Sequence, residues 1–410
     1  MTGEEYKTYC ETAFIPEFEK YYMQFSRAGM SSSQVIKLEE AFGGAENAYL
    51  ASDEELLGLI PVRTGVADRN IKLDDNKPAD EEDNERGTLA MRRFIKIRKQ
   101  TDPEDDLKRV AHLGINYVSM RHPDYPGRLS RITGRPAGLF YKGNLPEAHT
   151  PAVAIVGSRD CSNYGKEIAI KLAKGLAGAG VDIISGMAMG IDGFAHRGAL
   201  NAASEHQRPG NAGQTYAILG CGADICYPRS NLDIYSRMAV SGGIISEHYP
   251  GTEPVSYNFP HRNRIISGLS DAILVVEARE RSGSWITVDF GLEQGKDIYA
   301  VPGRITDRLS NGCNNLIKLG AKLVTGEEDI IKDLAPKYLN RRRPQTLAAA
   351  CPAGTEQKKV YDALDMTPVS INEITVSCQM TVSRVMQILA ELELKGCAAR
   401  LGTGYVRVIH

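Results

Sequence analysis

The sequence predicts an α/β protein built on a doubly wound parallel sheet, with a helical domain before the sheet and a winged-helix domain after it. Three observations lead to this prediction. Short apolar runs alternate with helical patterns between residues 152 and 335. Residues 1–73 show helical patterns alone, and residues 355–410 show three helices followed by a hairpin. The 410 residues leave room for this arrangement at about 150 residues per domain.

The N-terminal region, residues 1–73, is predicted to consist of short helices of the SAM or helix-hairpin-helix kind. Residues 34–42 form an amphipathic pattern that ends at Gly43. Ser52 precedes Glu55 by three residues, which is the spacing of a helix-capping box. We therefore expect a helix end at Gly43 and a helix start at Ser52.

An acidic segment separates these helices from the sheet. Residues 74–86 contain seven carboxylate side chains against Lys77 and Arg86. So dense a run of like charges favours a solvated, exposed insertion. A linking helix completes residues 74–106. The alternative is an acidic surface for a partner, or one that mimics DNA.

Seven strands with helices between them are predicted in the central part of the chain. Apolar strands that alternate with helices form parallel sheets covered on both faces. Residues 107–335 are therefore expected to form one extended Rossmann-like domain, with ligands at the carboxyl ends of the strands. The predicted strands are Ala152–Val156, Val181–Ser185, Thr215–Leu219, Gly243–Glu247, Ala272–Glu277, Ile298–Val301 and Lys322–Val324. The predicted helices span residues 163–178, 190–203, 231–241, 261–269, 283–294 and 312–319.

A linker, residues 336–354, leads to the winged-helix pattern of residues 355–410. Such domains often bind duplex DNA through their third helix. Residues 351–410, however, carry six basic and six acidic side chains. Because phosphate neutralisation needs an excess of positive charge, we favour a protein-contact or regulatory module.

Glycine-rich turns follow several of the predicted strands, at Gly157-Ser-Arg159, Ser185–Gly190, Gly220-Cys-Gly222 and Ser282-Gly-Ser284. Glycine lets backbone N–H groups approach an anion closely, and a helix N-terminus adds a favourable dipole. The turns predict a phosphate-binding edge, although glycines that serve only tight turns explain the same pattern. Their spacing is neither the dinucleotide fingerprint nor a P-loop.

The segment from Asn258 to Arg264 adds positive charge to this edge. Arg262 and Arg264 can hold phosphates through bidentate contacts, and Phe259 can stack on a base. A basic pair beside an exposed aromatic ring suits single-stranded nucleic acid. The alternative is that Phe259 fills the core and one arginine makes an internal salt bridge.

A catalytic constellation is harder to identify. Asp192 and His196 are four residues apart on one helix, which suits either an acid–base pair or a brace within the fold. Glu247 and Glu277 end strands, where each can face a ligand or hold Arg262 or Arg264. We expect no catalytic residue, cofactor or metal ion.

Composition excludes several protein classes. The formal net charge of −2 excludes a strongly basic coat for nucleic acid. No apolar run approaches the ~18 residues of a membrane span, and no signal peptide is expected. The eight cysteines form no CxxC pair, so reduced thiols in a cytoplasmic protein are expected rather than a zinc site.

The same motifs resemble the DprA/Smf family of bacterial DNA-processing proteins. The resemblance is dense over residues 107–330 and looser in the helices before and the winged helix after them. The matching runs are Asp124-Tyr-Pro126, Tyr141–Leu145, Ala154–Arg159, Ser185–Asp192, Ala195–Leu200, Gly220–Asp224 with Tyr227-Pro228, Gly243–Glu247, Asn258–Ile266, Glu277-Ala278, Arg281–Ser284, Val301–Gly303 and Gly312–Asn315.

The resemblance implies a non-enzymatic role. It implies that the chain binds single-stranded DNA, forms a homodimer through the Rossmann-like domain and helps to load the RecA recombinase during natural transformation. It also implies strand contacts by the side chains of Arg159, Phe259, Arg262 and Arg264 and by the backbone of Gly157, Ser158, Gly186 and Gly190. Six further residues of the same turns and of the same segment complete the predicted DNA-binding set: Ser185, Asn258, His261, Ser282, Gly283 and Ser284.

Two features depart from the family pattern. His261 stands where an arginine is frequent, and the acidic segment 74–86 is additional. Spacing alone equally allows a Rossmann-like protein or enzyme that binds a nucleotide at the same edge. A scaffold that acts through its winged helix is a third hypothesis.

Overall fold

A nine-stranded sheet forms the centre of the first of two units, Met1–Tyr338, and a winged helix forms the second, Leu339–His410. The computed structural model describes residues 18–59, 79–205, 212–280, 282–339, 355–365, 369–394, 398–401 and 404–407. The α/β fold class predicted from the sequence is confirmed.

The large sheet is mostly parallel. From one edge to the other its strands follow the order β1-β2-β6-β5-β4-β3-β7-β8-β9. Seven of them pair in parallel, whereas β1 and β2 add two antiparallel pairings at one edge that were not predicted. The strands are β1 (Asn116–Ser119), β2 (Gly138–Gly143), β3 (Ala152–Val156), β4 (Asp182–Ser185), β5 (Thr215–Leu219), β6 (Gly242–Ser246), β7 (Ala272–Val275), β8 (Asp297–Ala300) and β9 (Lys322–Leu323).

Both faces of the sheet are covered. Along β3, Ala152 and Ala154 belong to one apolar cluster, and Val153 and Ile155 belong to the other. Successive side chains of a strand point to opposite faces, so near-continuous apolar strands follow from burial on both sides. The covering helices are α7 (Asn163–Gly178), α8 (Ile191–Glu205), α9 (Leu232–Ser241), α10 (Asn258–Leu269), α11 (Gly283–Glu293), α12 (Asn311–Lys318) and α13 (Glu327–Leu339).

Helix α10 begins three residues earlier than predicted, at Asn258 rather than at residue 261. Pro260 suggests a break before the helix, but a proline is tolerated in the first turn because the N–H groups there have no partner within the helix. The segment from Asn258 to Arg264 is therefore helical rather than a loop that leads into a helix.

The N-terminal helices pack against the sheet. Phe25 and Phe94 belong to the same apolar cluster as Ile245 of β6. The buried Glu19 carboxylate accepts hydrogen bonds from the Ser119 backbone N–H and hydroxyl, at 2.7 and 2.6 Å. The helices are α1 (Glu19–Arg27), α2 (Ser32–Phe42), α3 (Ala45–Leu50), α4 (Asp53–Gly58), α5 (Ala79–Gln100) and α6 (Pro103–His112).

Two predicted helix boundaries are confirmed in this region. Gly43 ends α2 in the left-handed conformation, with φ of 74°. Ser52 begins α4 and forms the capping box with Glu55. In the acidic segment, α5 begins at Ala79, so residues 79–86 are the first part of a helix. Residues 74–78 lie outside the described part of the chain.

The winged-helix unit has its own apolar core, which includes Val360, Ile374 and Leu389. Three helices precede a hairpin, as predicted, and a short strand pairs with the hairpin. The elements are α14 (Thr355–Asp362), β10 (Val369–Ser370), α15 (Ile371–Cys378), α16 (Val382–Leu394), β11 (Ala398–Leu401) and β12 (Gly404–Arg407). Among the residues that the structure describes, no helix combines the length and the apolar composition that crossing a bilayer requires.

Candidate nucleic-acid interface

The sheet changes its direction of growth at β3. Strands β4, β5 and β6 follow one another on one side of β3, and β7, β8 and β9 follow on the other side. In open α/β sheets such a switch point leaves a crevice outside the carboxyl ends of the strands, where ligands bind. The turn after β3 and the segment after β7 border this crevice.

The turn after β3 is anchored to two neighbouring segments. The Ser158 N–H donates to the carbonyl oxygen of Glu277 beyond β7, at 2.7 Å. The Ser158 carbonyl accepts a hydrogen bond of 3.1 Å from the N–H of Ile191, at the start of α8. The Glu277 carboxylate accepts from the backbone N–H and hydroxyl of Ser162, at 2.9 and 2.5 Å. Glu277 thus holds the turn instead of pairing with an arginine.

Glycine is required where these turns meet. Gly190 has a φ of 76°, and a Cβ atom there would lie 2.3 Å from the Ser158 carbonyl oxygen. A Cβ atom on Gly157 would lie 2.7 Å from Ile191, and one on Gly186 would lie 2.1 Å from Arg262. These glycines serve close packing of backbone at the crevice, whatever they contribute to a ligand.

Arg159 is an exposed cation at this edge. Its side chain is exposed, and its guanidinium carbon lies 5.6 Å from the centre of the Phe259 ring. Within the described part of the chain, no carboxylate or carbonyl group pairs with it. Its charge is therefore available to an anion in the crevice.

Phe259 lies half-buried at the centre of the crevice, among other side chains. The ring of Tyr227 stacks on it, with centroids 5.5 Å apart. The Arg262 guanidinium lies 5.8 Å from the ring centre, in addition to Arg159. A Cβ atom on Gly220 would lie 3.0 Å from the ring, so the backbone of Gly220 also packs against Phe259. Phe259 thus combines features of the two predicted alternatives, a core residue and a ligand contact.

Arg262 was predicted to face the crevice, but it is buried. It is 5% exposed, and its guanidinium donates to the carbonyl oxygens of Gly186 and Ile218. Its Nη2 atom lies 3.9 Å from an Asp192 carboxylate oxygen. Burial lowers the pKa of Arg262 to about 10, and Asp192 opposes that shift. This arginine joins the ends of β4 and β5 from inside the protein.

Arg264 makes the internal salt bridge that was the alternative prediction. Its two terminal nitrogens lie 3.2 and 2.5 Å from the carboxylate oxygens of Glu247. Burial alone would raise the pKa of Glu247, but the charges of Arg264, His261 and His248 and the hydrogen bond from Arg264 together hold that pKa below its usual value. The side chain is 7% exposed, and both terminal nitrogens are engaged by the one carboxylate.

The remaining candidates divide into two sets. Asn258 donates to the Gly220 carbonyl at 3.1 Å, and the Ser185 hydroxyl donates to the Ile155 carbonyl at 2.6 Å, so both side chains are used internally. The second set lies at or just below the surface. His261 is 44% exposed beside Glu247, and Gly283 borders open space. The hydroxyls of the half-buried Ser282 and the buried Ser284 lie 2.6 Å apart at the start of α11.

Tyr227 was not among the predicted site residues, although it stands in the Tyr227-Pro228 motif. The residue is 47% exposed, and its ring stacks on Phe259. The signals in the sequence were its aromatic ring and its place in that motif. The ion pair of Asp192 with Arg262 was also not predicted, because the spacing of four residues suggested His196 as the partner of Asp192.

Asp192 and His196 do not form an acid–base pair. The Nδ1 atom of His196 lies 2.7 Å from the Thr215 hydroxyl, which itself donates to the Ile183 carbonyl. That hydroxyl therefore accepts, and Nδ1 carries the proton. Asp192 accepts from the Ala188 N–H and faces Arg262. Among the described residues, no cluster of His, Cys, Asp or Glu is arranged to hold a metal ion.

His196 is expected to lower the stability of the first unit between pH 7 and pH 5, relative to a variant without this imidazole. Burial, and then the Arg262 charge, lower the pKa of His196 from 6.5 to about 3. Below pH 6.5 the unfolded chain takes up a proton that the folded chain binds only near pH 3. This proton uptake removes about 2 kcal/mol of stability at pH 5 relative to pH 7.

Urea unfolding of wild type and His196→Asn at both pH values measures this contribution. Between pH 7 and pH 5, wild type should lose about 2 kcal/mol of stability relative to the variant. Burial raises the pKa of Glu19 and Asp182 to about 7, which stabilises the fold as the pH falls, but equally in both proteins. An equal change with pH in the two proteins would contradict the prediction.

Comparisons with known proteins agree on one family. The family model described as DNA recombination-mediator protein A matches residues 116–335, and the one described as DprA winged helix domain matches residues 344–404. The DNA processing protein DprA of Streptococcus pneumoniae is 44% identical over 324 residues, which covers 78% of this chain and 98% of that protein. Protein Smf of Escherichia coli is 38% identical over 294 residues, which covers 69% of this chain and 75% of that protein.

A solved structure agrees with these sequence matches. The X-ray structure of DNA processing protein A (DprA) from Streptococcus pneumoniae is similar with a TM-score of 0.60 and 32% sequence identity. The similarity covers 76% of this chain and 97% of that chain.

Proposed function

The chain belongs to the DNA recombination-mediator protein A family, whose members are named DprA or Smf, and on that premise we propose that it binds single-stranded DNA at the carboxyl edge of its sheet. We further propose that it helps to load the RecA recombinase onto the bound strand during DNA uptake and recombination. The role is one of binding, without catalysis.

The observation that carries the proposal is the exposed, unpaired guanidinium of Arg159 beside the Phe259 ring. A guanidinium attracts a phosphate and can hold it through two hydrogen bonds. Aromatic rings next to a phosphate site offer a surface for bases, whose faces are open in a single strand. The switch point of the sheet is also where ligands of such folds bind.

Charge favours a short contact with a single strand. Residues 151–335 carry 18 basic and 20 acidic side chains, and both Arg262 and Arg264 are engaged internally. These two arginines are therefore not available to neutralise phosphates. Binding to a duplex relies on many phosphate contacts. The bases of a duplex are also stacked on one another and are not open to an aromatic side chain. We expect a preference for single strands and a modest dependence on salt.

The partners follow from the same family membership. We propose a homodimer that forms through the Rossmann-like domain, RecA as the protein partner and the cytoplasm as the location. The winged-helix unit fits a protein-contact role better than duplex binding. Val382 and Met386 of α16 are exposed, at 50% and 44%. The one arginine of that helix, Arg384, is paired with Glu356 at 2.7 Å.

Fluorescence anisotropy with labelled dT oligonucleotides and a duplex of matched length tests the binding proposal. Titrations at several salt concentrations give the slope of log K against log salt, which is about −0.7 for each phosphate contact to a single strand. Preferential binding to the single strand with a slope of a few contacts is expected. A RecA filament assay on strands coated with single-strand-binding protein then tests loading.

Two outcomes would overturn the proposal. One is the absence of binding to single strands at low salt, and the other is tighter binding to the duplex. Either result would redirect attention to a free nucleotide at the same edge, which a thermal-shift screen with nucleoside phosphates would identify.

A further inference from the structure

The loop after β5 presents an open aromatic ring to the crevice. Tyr227 is 47% exposed, and its ring is inclined by 29° to that of Phe259 at a centroid distance of 5.5 Å. Phe259 covers one face of the ring and almost half of the residue is exposed, so the other face is open to a ligand. That face lies in the crevice that also holds the exposed guanidinium of Arg159.

Phe259, by contrast, has little ring surface left. Tyr227 stacks on it, the guanidiniums of Arg159 and Arg262 lie 5.6 and 5.8 Å from its centre, and the backbone of Gly220 closes in on its edge. A base that stacked on Phe259 would have to displace one of these groups. Displacement of Arg262 would also expose the buried charge of Asp192.

Hydrogen bonds hold the Tyr227 loop in place. The Asn231 side chain donates to the carbonyls of Met187 and Ala188, at 3.0 and 3.2 Å, which ties the loop to the turn after β4. The Tyr235 hydroxyl donates to the Ala223 carbonyl at 2.6 Å. The ring is therefore held on a fixed backbone before any ligand arrives.

We propose that Tyr227 is the residue on which a base of the bound strand stacks, and that Phe259 is a positioning residue that supports the Tyr227 ring. The inference rests on the proposed binding of single-stranded DNA and assigns the base contact within it. Arg159 and Tyr227 lie against the same Phe259 ring, so one short stretch of strand reaches both, with a phosphate on Arg159 and a base on Tyr227. Stacking on a phenol ring tolerates all four bases, because each base has a π-face.

Anisotropy measurements with Tyr227→Ala, Tyr227→Phe and wild type test the assignment. The probes are a labelled dT oligonucleotide and a series in which a single abasic site moves along it. Tyr227→Ala should weaken binding to the intact strand by about tenfold, the usual effect of losing one base-stacking ring. Tyr227→Phe keeps the ring and should remain within about twofold of wild type.

The abasic series separates stacking from a structural effect. When the strand cannot place a base over the ring, wild type should lose affinity, and Tyr227→Ala should lose nothing further. Two results would overturn the assignment while strand binding itself still stands. One is a Tyr227→Ala protein that binds the intact strand as tightly as wild type does. The other is a Tyr227→Ala protein that binds every abasic strand more weakly than wild type does. Failure of wild type to bind any single strand would overturn the proposed function and this inference with it.

Discussion

Arg159→Glu is expected to weaken binding to single-stranded DNA by about 10- to 100-fold. The change removes a guanidinium that is free to hold a phosphate and puts a negative charge in its place. A hydrogen bond to a charged group contributes ~1.5–3 kcal/mol, and each ~1.4 kcal/mol is a factor of ten in affinity. Anisotropy at several salt concentrations measures both the loss and a salt slope that is shallower by about 0.7.

Lys318→Glu is the matched control for this experiment. Lys318 is exposed at the end of α12, which runs from the carboxyl end of β8 to the amino end of β9. The two variants therefore change the net charge equally, but at opposite edges of the sheet. Equal losses in both variants would show a general effect of charge and would contradict a phosphate contact at Arg159.

Arg262→Ala is expected to lower the free energy of unfolding by about 3–5 kcal/mol, the usual effect of removing one partner from a buried ion pair. The variant leaves the Asp192 carboxylate buried without its cation and the carbonyls of Gly186 and Ile218 without their donor. Urea unfolding measures the loss. By comparison, Arg159→Ala at the surface should change stability by at most ~0.5 kcal/mol.

The double variant Arg262→Met with Asp192→Asn serves as the control for charge. It removes both members of the ion pair while a long side chain remains in the cavity, so it should regain part of the stability that Arg262→Ala loses. An Arg262→Ala protein of normal stability that fails to bind single strands would instead show that Arg262 contacts DNA directly. That result would contradict its internal role.

The central strands and the capped helices could be predicted because local sequence determines them. Continuous apolar runs marked the parallel strands, and Gly43 and Ser52 marked helix boundaries through backbone conformation and side-chain capping. Strands β1 and β2 carried no comparable signal. Both lie at the antiparallel edge of the sheet, and β2 both begins and ends with glycine.

The location of the candidate site could also be predicted, but not the state of its side chains. Glycine turns at strand ends indicated that the site lies at the carboxyl ends of the strands. Nothing in the local sequence distinguished the three arginines, yet Arg262 and Arg264 are buried and Arg159 is exposed. Their partners, the carbonyl of Ile218 and the carboxylates of Asp192 and Glu247, come from distant parts of the chain. Only the tertiary structure brings them together.

The hydrogen bonds of Glu277 affect the rate at which the proposed interface binds a strand. Its carbonyl oxygen and its carboxylate hold Ser158 and Ser162, the residues that bracket the segment with Arg159. The backbone of that segment is thus preorganised, and on association only the rotamers of the arginine side chain lose freedom. Preorganisation reduces the entropy lost on binding. Association is slower when binding requires a conformational change, and this segment requires none. Binding should therefore proceed in a single phase whose observed rate rises linearly with strand concentration.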